Sequence, residues 1–121
     1  MNSDDLKKRT KEFAIRIIKL VSALPKNSLG SIIGKQLLRA ATSVGANYRA
    51  ACRAKSTPDF IYKMNIVEEE ADESAYWLEL IIETGILGKK NVNLLLKEAD
   101  ELTAIFTASG KTAKSKNKEQ K

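Results

Sequence analysis

Apolar residues return every three or four positions along nearly the whole chain, and only three short breaks interrupt that rhythm. A period of 3.6 puts such residues on one side of a helix, so each stretch must bury a stripe against another element. Leu6, Phe13, Ile17, Leu20 and Leu24 form the first stripe, widened by Ala14, Ile18 and Val21. Ser3 ahead of two aspartates is an expected helix cap, and Pro25 ends the helix because the residue before proline is driven out of the α region. A second helix is expected from about Ser28 to about Ala54, with Ile33, Leu37, Ala40, Ala41, Val44, Tyr48 and Ala51 on its inner side. Its interior glycines, Gly34 and Gly45, each cost roughly 1 kcal/mol of helix propensity. Close approach by a neighbouring helix is the expected compensation.

Thr57, Pro58 and Asp59 start a third helix with a hydroxyl, a proline and an acid, each suited to a first turn. Phe60, Met64, Val67, Ala71, Ser74, Leu78 and Ile82 form its inner face, and Gly85 ends it. Beyond Gly88, Val92, Leu95, Leu96, Ala99, Leu102 and Phe106 carry a fourth stripe. Short connections make consecutive helices antiparallel, so the expected fold is all-α: an antiparallel up-down four-helix bundle over residues 1–109. From Gly110 onward there is no large apolar residue, and residues 110–121 are expected to form a disordered lysine-rich tail.

The net charge of +6 is unevenly spread. Residues 26–55 hold six bases and no acid, whereas residues 56–85 hold eight acids against Lys63 alone. On the second helix Lys35, Arg39, Arg49 and Arg53 fall in one band about 80° wide opposite the apolar face. With Lys55 they are the candidate nucleic-acid contacts. The same band can instead pair with the acidic third helix, either within one chain or between copies. Glu70 and Glu73 are the informative acids, because they sit beside Ile66 and Trp77 at the edge of the apolar face. Arg39, Arg49, Arg53, Glu70, Glu73 and Trp77 are accordingly the candidate interface or ion-pair residues. Tyr48 lies on the apolar side of its helix, where packing is expected over stacking on a base.

Several chemistries lack their residues. Without histidine there is no Ser-His-Asp or Cys-His catalysis and no histidine metal ligand. A lone cysteine, Cys52, offers neither an internal disulfide nor a zinc pair, and there is no glycine-rich phosphate loop. One acidic pattern resembles the magnesium sites of all-α nucleotide pyrophosphatases: E-E-x-x-E across Glu69, Glu70 and Glu73, with Glu98 and Glu101 on the fourth helix. The last position is glutamate where that pattern has aspartate. No cofactor, catalytic residue, metal or small-molecule substrate is expected. No apolar run reaches the roughly 20 residues of a membrane span, and the N-terminal residues lack a secretory apolar core, so a cytoplasmic protein is expected.

Two stretches carry a family resemblance: QLLRAATSVGANYRAA from Gln36 to Ala51, and Phe60 followed by IVEEEADESAYWLEL from Ile66 to Leu80. Over about residues 5–108 the chain resembles the bacterial four-helix bundle proteins encoded in intervening sequences of 23S ribosomal RNA genes. Many members read Asn-Ile-Ala-Glu-Gly where this chain has Asn47, Tyr48, Arg49, Ala50 and Ala51. The resemblance implies an up-down bundle assembled as a homopentamer, without enzymatic activity. A related branch, the accessory variability proteins of diversity-generating retroelements, is similar in fold and binds nucleic acid and a reverse transcriptase. Three functions follow as expectations: an oligomeric bundle binding RNA or a ribonucleoprotein, a protein-interaction scaffold, or a magnesium-dependent pyrophosphatase.

Overall fold

The computed structural model describes residues 1–119. Four helices account for most of them: α1 (Ser3–Ser22), α2 (Ser28–Ala51), α3 (Thr57–Thr84) and α4 (Lys89–Glu119), with no strand among the described residues. Their starts are written in local chemistry. Asn2 caps α1 and closes a capping box with Asp5, each side chain accepting from the other's backbone N–H. Asn27 caps α2 by accepting from the Gly30 N–H at 2.9 Å, and Ser56 caps α3 by accepting from Asp59 at 3.2 Å. The expected caps at Ser3 and Thr57 therefore sit one residue late, because asparagine and serine just upstream already satisfy those first-turn donors. Gly85 ends α3 in the left-handed region at φ 68°, which glycine alone adopts without strain.

The short connections turn each helix back along its predecessor, giving the expected up-down bundle. Sequential helices pack side by side and α1 closes against α4, while the diagonal pairs stay apart. The α1–α4 seam is the lightest of the four contacts. Inside lie Phe13 and Ile17 of α1, Leu37 and Val44 of α2, Met64 and Leu78 of α3, and Leu102 and Phe106 of α4. Each such side chain contributes roughly 1.5–3 kcal/mol by leaving water. Buried Thr10 and Ser74 satisfy their hydroxyls on the carbonyls one turn back, Leu6 and Glu70, both at 2.8 Å.

The two interior glycines of α2 face α1. A Cβ at Gly45 would meet the Thr10 hydroxyl at 3.2 Å, and one at Gly34 would meet Val21 at 3.1 Å. Small residues here let the first two helices close up, which offsets their weak helix propensity.

One expectation fails at the C-terminal end. Where residues 110–121 were expected to be disordered, α4 continues through Gly110 to Glu119; Gln120 and Lys121 lie outside the described residues. Apolar periodicity stops at Phe106 and says nothing about the turns beyond. Extending an existing helix needs no new nucleus, and lysines in the last turns suit the negative end of its dipole. Among the described residues no helix is long and apolar enough to cross a membrane.

Candidate functional site

The basic band of α2 divides as soon as its neighbours are in place. Arg39 turns toward α3, where it bonds Glu70 at 3.0 Å and also Glu73. Glu73 in turn accepts the indole N–H of Trp77 at 3.2 Å. The Glu73 hydrogen bond, with the charge of Glu70, holds the Arg39 guanidinium above its already high ordinary pKa. Four of the six candidate interface residues, Arg39, Glu70, Glu73 and Trp77, are thus gathered into one cluster within a single chain.

Arg49, about 80° round the helix from Arg39, turns toward α1. It lines a groove of about 560 Å³ with Lys7, Lys8 and Lys11, over a floor that includes Ala14, Gly45 and Ala46. Among the described residues no acid lines the groove and none of its four cations joins an ion pair. Unneutralised charges beside a low-dielectric wall concentrate positive potential and attract polyanions. The three lysines belong to the run Lys7-Lys8-Arg9-Thr10-Lys11, whose basic character is masked in the sequence by the acids of the same helix. Lys7, Lys11 and Ala14 lie on the α2 side of α1, whereas Arg9 is rotated toward α4.

The other candidate cations scatter. Lys35 lines a separate groove at the α1–α2 turn with Pro25 and Lys26. Arg53 is exposed one turn beyond Arg49. Lys55 lines a cleft between the α2–α3 corner and the far end of α4, opposite Lys116. Tyr48 is buried against Phe106 with ring centroids 5.4 Å apart, and burial pushes its phenol pKa up. It serves the core.

The carboxylates of the pyrophosphatase-like pattern do not converge. Glu70 and Glu73 face α2 and are held by Arg39, whereas Glu98 and Glu101 face α1 and are held by Arg9. Hydrogen bonding from Arg9 keeps the Glu98 carboxyl below its ordinary range despite partial burial. Glu68 points to α4 and accepts from the Thr107 hydroxyl at 2.6 Å. Among the described residues no three acids or thiols come close enough together to hold a metal ion. A two-helix magnesium site needs carboxylates on both sides of the α3–α4 seam; these acids flank different seams.

An apolar surface lies on the α2–α3 side. Leu29 and Ile32 are exposed on α2, as is Tyr76 on α3, and Tyr76 lies edge-on to half-buried Trp77 at 5.3 Å; Tyr62 is exposed nearer the other end of α3. Antiparallel register through Arg39 and Glu73 sets Leu29 and Ile32 level with the stretch from Trp77 to Thr84. Leu29, Ile32 and Tyr76 therefore leave apolar area exposed at this end of the α2–α3 side.

The model of the 23S rRNA-intervening sequence protein family matches residues 3–108. No curated protein matches the chain. Among solved structures it is similar to a protein of unknown function of the S23 ribosomal protein family from Bacteroides thetaiotaomicron. That likeness has a TM-score of 0.83 and 36% sequence identity, and it covers 92% of this chain and 99% of the other.

Proposed function

This chain belongs to the 23S rRNA-intervening sequence protein family, and from that premise we propose that it is a non-enzymatic, homo-oligomeric bundle that binds RNA or a ribonucleoprotein. The observation that carries the reading is the α1–α2 groove, where Lys7, Lys8, Lys11 and Arg49 stand without a neutralising acid. The basic surface is then shared between two helices, with exposed Arg53 and Lys55 adding positive charge beyond the end of α2. Arg39 drops out of the contact set, since two glutamates already hold it.

Neutralising phosphates releases counterions, so binding must weaken steeply with salt. In anisotropy titrations with structured RNA, engagement of the four groove cations predicts a log–log salt slope of about −3 to −4. Replacing Lys11 and Arg49 with glutamate should flatten that slope and weaken binding to every sequence alike. Affinity unchanged by salt, or no binding to any RNA, refutes the reading.

The exposed apolar side of α2 and α3 supports self-association, and the pentamer implied by family resemblance is the assembly proposed. Light scattering of the whole chain at physiological salt tests it, and a monomeric mass rejects it. The same surface favours one second reading: a protein-interaction scaffold with no nucleic-acid role. Capture of partners that survives nuclease treatment, together with no RNA affinity, would select that alternative. The lone exposed thiol of Cys52 fits a reducing cytoplasm as its place of work.

A further inference from the structure

The C-terminal extension of α4 builds something that neither the helix nor the bundle has alone. It flanks the corner between α2 and α3 and leaves a cleft of about 810 Å³. Ala51, Ala108, Ala113 and half-buried Phe60 supply apolar walls, while Lys55 and Lys116 stand on opposite sides. Among the described residues no acid lines the cleft. The nearest carboxylate in sequence, Asp59, is engaged by the Lys63 ammonium at 2.8 Å and the Lys55 backbone N–H at 3.1 Å. Around the rim, Thr57 and Ser109 add hydroxyls. Arg49 and Cys52 are three residues apart, so the cleft begins within one turn of the α1–α2 groove.

We propose that this cleft receives an unpaired nucleotide, which makes single-stranded RNA the preferred ligand; the proposal rests on the RNA-binding reading above. Lysines alone would suit any polyanion. The walls decide between polyanions: an apolar pocket with an aromatic edge is useful to a base only if its face is free. A duplex hides its base faces in the stack and offers phosphates and 2′-hydroxyls instead. A single strand can place a base against Phe60 while Lys55 and Lys116 hold the flanking phosphates. An acidic peptide would satisfy the lysines and leave the walls unused.

Cys52 lies in the cleft, is exposed and is the only thiol of the chain, so its alkylation reports occupancy. The full chain is treated with N-ethylmaleimide alone, with a single strand of about 12 nucleotides, with the same strand annealed, or with poly-glutamate. At a strand concentration about ten times its Kd, the single strand should slow alkylation about tenfold. Duplex at equal occupancy and poly-glutamate should leave the rate near that of the free protein. Replacing both Lys55 and Lys116 with glutamate should abolish protection, while the α1–α2 groove retains part of the affinity seen by anisotropy. Both lysines are exposed, and circular dichroism checks that the variant stays folded. Unchanged alkylation while anisotropy shows strand bound overturns the cleft and leaves the broader reading standing. Equal protection by duplex or by poly-glutamate overturns the single-strand assignment. No binding by either form of RNA overturns both readings.

Discussion

Arg9 donates from Nε and Nη2 to the two carboxylate oxygens of Glu98, both at 2.7 Å, and Nη2 also reaches Glu101 at 2.9 Å. This clamp ties α1 to α4 across the lightest seam of the bundle. Its side chains are only 24% and 15% exposed, so it is screened less than an open surface pair. Glu98→Gln should therefore destabilise the fold by about 1–2 kcal/mol at neutral pH. Because the folded carboxyl is depressed, the clamp's stabilisation is fully present above the unfolded value of about 4.3 and is lost as pH falls through the lower folded value. Urea unfolding of both proteins should show the gap closing only in acid. A gap that persists unchanged in strong acid would refute the electrostatic assignment.

Three glycines should respond to alanine in three different ways. At Gly30 a Cβ would lie 2.1 Å from the Pro25 carbonyl oxygen, so the α1–α2 turn must move, with a loss of about 2–4 kcal/mol. Gly85 has open space but a φ of 68°, and alanine there should lose only about 1–2 kcal/mol to backbone strain. Gly110 has open space and lies inside α4, so alanine should firm the extension by up to about 1 kcal/mol. Thermal melts order the three, and a destabilised Gly110→Ala would argue against a helix at that position.

Position in the bundle, not size, should govern the large apolar residues. Phe106 is fully buried beside Tyr48, and Phe106→Ala should lose about 3–5 kcal/mol. Leu94, also on α4, is 54% exposed, and Leu94→Ala should stay within about 0.5 kcal/mol of the parent. Denaturant midpoints for the two variants test the assigned rotation of α4.

Trp77 is the only tryptophan, so its emission reports on the α2–α3 side alone. Arg39→Ala should change stability by no more than about 1 kcal/mol, since the arginine side chain is half exposed. If copies associate through this surface, Trp77 emission should shift to shorter wavelength as concentration rises, in step with mass by light scattering. Ile32→Glu should hold the emission at its dilute value. A concentration-independent spectrum in a protein that does assemble would move the contact elsewhere.

The four helices were legible because their signals are local. Phe13 and Ile17, or Leu78 and Ile82, declare a helix face through spacing alone. Proline and glycine mark the ends. The C-terminal extension was not legible, because a helix that buries little leaves no periodic trace. The candidate site was half legible: Arg49 and Lys55 stood out, but Lys7, Lys8 and Lys11 were lost in an α1 that also carries acids.

Charge alone never says which charge meets which. Arg9 and Lys8 are neighbours in sequence, yet Arg9 is bound by two glutamates and Lys8 lines an acid-free groove. A rotation of about 100° per residue points them at different helices. Four helices, their inner faces and their up-down order follow from local signals, because spacing, caps and short turns act within a few residues. That Arg39 is neutralised and Arg49 is not, and that the acid pattern flanks two seams instead of meeting across one, emerges from how the helices pack. Ion pairing depends on the rotation and axial register of helices far apart in the chain, and the packing of Gly34, Gly45 and the core sets both.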